Sequence, residues 1–133
     1  MNRAILCSAI EGLVSKVGYS FRLDDESCYP VTISRYPAAF MSRPDFVKME
    51  GRQHGRITYK VSLTLAQQGA KLFPQERSER FAQMEQEMIE LFVELSKESC
   101  VAVVENLSIT PKDAVDAHGA IAITGEADVE TIF

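Results

Sequence analysis

The chain has 133 residues, 46% of them hydrophobic and 25% charged, and carries a formal net charge of −5. That length is one domain, 1–133, long enough to bury a core without disulfides or metals, and the composition excludes wholesale disorder. The longest apolar runs are a few residues, against the ~20 that a membrane span needs, so a cytoplasmic protein without a membrane partner is expected.

The N-terminal segment repeats apolar residues at helical spacing: Ile5, Leu6, Ala9, Ile10, Leu13, Val14 and Val17. This predicts an amphipathic helix over residues 3–17 rather than a signal peptide, with Asn2 as N-cap and Gly18 as the stop. The next stretch, "YSFRLDDESCYP", holds the acidic trio Asp24, Asp25 and Glu26 and reads as a solvated loop. Pro30 and Pro37 then bracket a short strand over residues 31–35, which either starts at Pro30 or lies at a sheet edge near it, because proline cannot donate to a ladder.

Residues 39–41 and 46–49 have modest strand character. Gly51 and Gly55 flank "RQH" as a hairpin tip. The strand leaving that tip alternates without a slip. Ile57, Tyr59, Val61, Leu63 and Leu65 form one face, and Thr58, Lys60, Ser62, Thr64 and Ala66 the other. The first is a core face. The second is small and hydroxyl-rich, so both helices are expected on the Ile57/Val61/Leu65 side, with the Thr58/Ser62/Thr64 side bare. The long hairpin at about 39–67 is expected to protrude.

A second helix follows from Pro74 or Glu76 to Glu98, with Phe81, Met84, Met88, Leu91, Phe92 and Leu95 as its apolar stripe. Two strands close the chain. One covers 101–110, and the other begins near Gly119, kinks at Gly125 and runs on toward Phe133, with 111–119 as connector. The expected fold is α+β, a mostly antiparallel sheet with two helices packed on one face, in the order α-β-β-β-α-β-β.

Charge is unevenly spread. Arg43, Lys48, Arg52, Arg56 and Lys60 stand against only Asp45 and Glu50, whereas the second helix and the last third of the chain are acidic. The candidate interface residues are therefore Arg43, Lys48, Arg52, His54, Arg56 and Lys60, with Glu85, Glu87, Glu90 and Glu94 as a complementary acidic face. Such a hairpin suits a solvated protrusion, a protein–protein contact or phosphate neutralisation on DNA. DNA is the least favoured of the three, because the chain is acidic overall and lacks a basic stripe interleaved with aromatics.

No catalytic residue is assigned. GxGxxG, GxxxxGK[ST], GxSxG, HExxH and Cys/His zinc patterns do not occur. Cys7, Cys28 and Cys100 fit small buried hydrophobes in a reducing compartment. His54 and His118 are isolated beside glycines. No metal or cofactor is expected.

The order of the N-terminal helix, "YPVTISRYP", "RITYKVSLTLAQQ", "ERFAQMEQEMIELFVEL" and the final strand pair resembles the tail terminator and tail-completion (head–tail joining) proteins of long-tailed phages and prophages. The resemblance implies a non-enzymatic structural protein that forms a ring, commonly six-fold, at the head-proximal end of the tail. Its partners would be itself, the tail tube protein and the head-completion protein, and it would end in a virion. Such a ring needs two different complementary patches on one subunit. The alternatives are a small homo-oligomeric α+β ligand-binding or interaction module of non-phage origin, and an enzyme with unrecognised residues.

Overall fold

A computed structural model describes residues 2–24, 37–69, 72–113 and 121–133. Among them are two helices, α1 (Asn2–Lys16) and α2 (Pro74–Ser96), and six strands: β1 (Ser20–Asp24), β2 (Ala38–Ser42), β3 (Asp45–Gly51), β4 (Gly55–Gln67), β5 (Val101–Asp113) and β6 (Ile121–Ile132). The strands form one sheet in the order β1-β2-β4-β6-β5, and β3 also pairs with β4. Only β1–β2 is parallel. The fold is therefore α+β, with one strand more before α2 than the sequence suggests.

β1 takes up residues 20–24 of the segment read as an acidic loop; Asp25 and Glu26 lie outside the described residues. β1 is short, and its ladder comes from β2, a partner distant in sequence, so its own pattern carries little signal. The strand expected over 31–35 also falls outside the described residues, as do Cys28 and His118. The stretch before the hairpin tip is two strands rather than one. β2 pairs with the C-terminal half of β4, from Met41↔Leu63 to Ala38↔Ala66, and β3 with its N-terminal half, from Asp45↔Lys60 to Gly51↔Gly55. Arg43 and Pro44 fall at the break, where proline's missing N–H interrupts the ladder.

Two end signals resolve differently. Gly18, at φ +93°, ends α1. Its amide donates to the Ser15 carbonyl at 3.1 Å and the Tyr19 amide to the Val14 carbonyl at 3.3 Å, the paired bonds of a Schellman stop. Asn2 does not cap α1 but lies in its first turn. Its side-chain amide donates to Thr131 Oγ1 at 3.0 Å and to the Ile132 carbonyl at 3.3 Å, fastening the helix to β6.

Both helices cover one face of the sheet. α1 buries Leu6, Ile10 and Val14, and α2 buries Met84, Met88, Leu91, Phe92 and Leu95. Residues of both helices and Val61 and Leu63 of β4 converge around one small void. Each such side chain contributes roughly 1.5–3 kcal/mol of burial before entropy is subtracted. Gly125 does not kink β6, which runs through it opposite Leu63. Its role is close approach: a Cβ there would stand 2.8 Å from the Met88 side chain, so glycine lets α2 sit down on the sheet.

The opposite face is not bare along its length. Thr58 and Thr64 are only 8% and 4% exposed, and Ala38, Ala66 and Ala122 are buried. Ser62 is half-buried and Lys60 exposed. Phe40 lies directly beside Thr64 in the next strand and is itself buried. The Thr64 and Thr124 hydroxyls bond each other at 2.8 Å. The two buried hydroxyls thus partner each other across the strands.

Candidate functional site

The hairpin β3–β4 is the least covered part of the sheet. All seven β3 residues are exposed, and among the described residues β3 pairs with β4 alone. Its partner strand is held on the other side by β6 through twelve paired positions, from Arg56↔Ile132 to Gln67↔Ile121, so the hairpin rises from a rigid base. The tip is Arg52, Gln53 and His54, closed by Gly51 at φ +101°. A Cβ at Gly51 would meet the His54 carbonyl, and one at Gly55 the Glu50 carbonyl.

The six basic candidates do not form one cluster. Lys48, Arg56 and Lys60 share the face opposite the helices, in cross-strand rows Asp45–Lys60–Asp128, Lys48–Thr58–Glu130 and Glu50–Arg56–Ile132. Arg52 and His54 occupy the exposed tip. Arg43 sits at the β2/β3 break and acts electrostatically on the Cys7 thiol of α1. Much of the charge is answered within the chain. Lys48 Nζ pairs with Glu50 Oε1 at 2.9 Å, and Arg56 Nη1 with Glu130 Oε1 at 3.1 Å. Their hydrogen bond and mutual attraction raise the Lys48 ammonium and lower the Glu50 carboxyl. Both groups are fully exposed, so the pair fixes geometry more than it adds stability.

The four α2 glutamates do not form a single acidic face. At 3.6 residues per turn, Glu85 and Glu87 point about 200° apart. Glu87 accepts a 2.7 Å bond from the Tyr19 hydroxyl. Glu90 accepts from Gln86 at 3.2 Å and Glu94 from Lys97 at 3.0 Å. Glu85 instead lines a groove of about 450 Å³ with Ser78, Phe81, Ala82, Ile109, Pro111 and Ile123, between α2 and β5. A more concentrated acidic surface lies on the sheet: Glu126, Asp128 and Glu130 of β6, with Glu105 of β5 paired beside Asp128. Its signal was present in "GEADVETIF", whose acids recur every second residue.

The sequence reading also passed over the apolar side of the hairpin. Phe46, Val47 and Met49 are 55%, 50% and 55% exposed. Phe46 and Met49 lie on the helix-covered side of the sheet, opposite Tyr59 and Ile57. The Phe46 ring meets Tyr59 edge-on at 6.3 Å between centroids, and the Arg3 guanidinium stands 5.5 Å over the same Tyr59 ring. Val47 falls at a register break. Phenylalanine, tyrosine, methionine and arginine together have the composition of a protein-binding surface.

Elsewhere the polar groups are structural in arrangement. Tyr19 donates to Glu87 and accepts from Gln67 at 2.7 Å, and Gln67 in turn accepts from Arg80 at 2.8 Å. This chain ties the end of α1, the end of β4 and the middle of α2 together. Burial, then the Glu87 carboxylate, pushes the Tyr19 hydroxyl well above its ordinary pKa. Burial also raises the Cys7 and Cys100 thiols, which disfavours the nucleophilic thiolate. Among the described residues no three His, Cys, Asp or Glu side chains gather as a metal site, and no helix is long and apolar enough to cross a membrane. No family model matches the chain, and no curated protein is significantly similar to it.

Proposed function

We infer that the chain is a structural, non-enzymatic assembly protein of the tail terminator or tail-completion kind. It works as a ring at the head-proximal end of a phage or prophage tail, assembled in the cytoplasm and carried into the virion. The observation that carries this reading is the exposed hairpin, an arm with an apolar side and a charged tip on an otherwise well-packed domain. A head-to-tail ring requires two unlike patches on one subunit. The exposed tip, Arg52 and His54, is one, and the acidic β5–β6 surface of Glu105, Glu126 and Asp128 is the other. Opposite charges steer encounter and set register more than they supply affinity. The tail tube and head-completion proteins are the remaining partners of this reading. DNA binding is disfavoured, because Lys48 and Arg56 already have acidic partners.

Negative-stain images and light scattering of the purified protein test it, at low and at high salt. Rings at low salt that weaken as salt rises are the expected result. A strict monomer at high concentration and low salt would overturn a preformed ring. One observation favours a second reading, a non-phage ligand-binding module: the groove of about 450 Å³ between α2 and β5 is partly apolar and large enough for a small molecule. Saturable protection of the Phe81 and Ile109 methyl or ring signals by small apolar ligands would support it.

A further inference from the structure

The open edge of β3 is complementary to itself. Gly55 exchanges both backbone bonds with Phe133, its amide donating at 3.3 Å and its carbonyl accepting at 3.0 Å. Its backbone groups therefore point toward β6 and away from β3. In an antiparallel ladder, bonded and non-bonded pairs alternate. Gly51↔Gly55 is thus a non-bonded pair, Glu50↔Arg56 a bonded one, and Met49↔Ile57 again non-bonded. The Met49 amide and carbonyl consequently face the open edge, an unfilled template for another strand.

The side chains around Met49 specify which strand. Lys48 and Glu50 flank it on the face opposite the helices, already joined at 2.9 Å. Met49 and Phe46 lie on the other face, each about half exposed. Running a second β3 antiparallel about a two-fold axis through Met49 sets Lys48 against the second copy's Glu50, and Glu50 against its Lys48. It also sets Met49 against Met49. An edge lysine ordinarily blunts strand addition, but with Glu50 two residues on, a second copy brings the countercharge. We propose that the free protein pairs with a second copy of itself through β3. The two Met49 residues exchange N–H···O=C bonds, a Lys48/Glu50 quartet forms on one face, and a Phe46/Met49 cluster on the other extends the Tyr59 and Ile57 surface.

The register break at Val47 confines the regular run to residues 48–51, so the contact is short and the pairing depends on concentration. It goes beyond the ring reading and does not rest on it. A two-fold contact closes with two copies, so within an assembled tail it would join subunits of two rings rather than neighbours in one.

Sedimentation velocity over a concentration series, with three variants, decides the matter. The wild type moves toward twice the subunit mass as concentration rises. Met49→Pro removes an amide that has no partner among the described residues of the subunit, so circular dichroism stays unchanged while pairing weakens roughly tenfold or more. K48E and E50K alone remain monomeric, since each sets like charges across the axis. Mixed together they form a one-to-one heterodimer, because two acids around Met49 then meet two bases. A wild type that stays monomeric throughout, a dimer indifferent to Met49→Pro, or a K48E/E50K mixture that fails to pair would each overturn the contact. Head-to-tail rings do not use β3 and should survive Met49→Pro even as the β3 pairing is lost, which keeps failure of this contact distinct from failure of the ring reading.

Discussion

Tyr19 stands where α1, β4 and α2 meet, and its hydroxyl is the only atom of the three-way tie that both donates and accepts. Tyr19→Phe leaves Glu87 and Gln67 each short of a partner. The expected loss is about 1–2 kcal/mol of unfolding free energy, measured by urea denaturation. The same residue gives a pH dependence. Its folded-state pKa lies above the ordinary value of 10.0, from burial first and Glu87 second. A raised pKa means that the fold favours the protonated hydroxyl. The stability this confers is complete below pH 10 and is lost as pH climbs past the ordinary value toward the folded one. The wild type should therefore lose melting temperature more steeply above pH 10 than Tyr19→Phe does. In alkaline titration by absorbance, one of the four tyrosines should ionise late and be missing from the variant. At this scale the sequence was half legible. The alternation of β4 identified Tyr59 as a core residue, but Tyr19 had no neighbour in sequence that would mark it. Its partners Gln67 and Glu87 are 48 and 68 residues away.

The second helix shows why elements with a strong period are readable and their polar faces are not. All five buried apolar residues of α2 belong to the stripe expected from spacing. Leu95→Ala should cost about 2–5 kcal/mol, whereas Val93→Ala, on an exposed turn of the same helix, should stay within about 0.5 kcal/mol. Equal costs would mean that the helix is rotated from the orientation described. The glutamates were grouped by their proximity in sequence, but a helix spreads neighbours around its axis. Only the geometry separates Glu85, on the groove, from Glu87, on the tie. β6 carries the converse lesson. Gly125 reads as a kink because glycine weakens strands, yet its strand is continuous and its missing Cβ accommodates Met88. Gly125→Val forces extra volume against Met88 and Phe92 and should cost about 1–3 kcal/mol, read as a lowered melting temperature. β1 escaped notice because five residues with a parallel partner distant in sequence leave no local signature.

Across the whole molecule, the sheet is unevenly protected. β4 and β6 are each paired on both sides, and the helices cover one face of them. Among the described residues β1, β3 and β5 are outer strands, and β3 lacks burial anywhere along its length. Amide exchange follows opening free energy, from near zero at edges to the global value in the core. Hydrogen exchange should therefore be slowest in peptides from the middle of β4 and β6, around Leu63 and Thr124. It should be fast in peptides covering 46–51, where the Met49 amide faces solvent in the single subunit. Pairing through β3 changes only one of these regions. As protein concentration rises, protection should appear at 46–51 and leave the β4–β6 peptides and the β5 edge unchanged. A head-to-tail ring through the tip and the acidic surface would instead protect Arg52, His54 and the β5–β6 peptides carrying Glu105 and Glu126. Exchange measured at two concentrations, in wild type and in Met49→Pro, thus separates the two contacts within one experiment. Protection at 46–51 that persists in Met49→Pro would mean that the edge is covered by something other than a second β3.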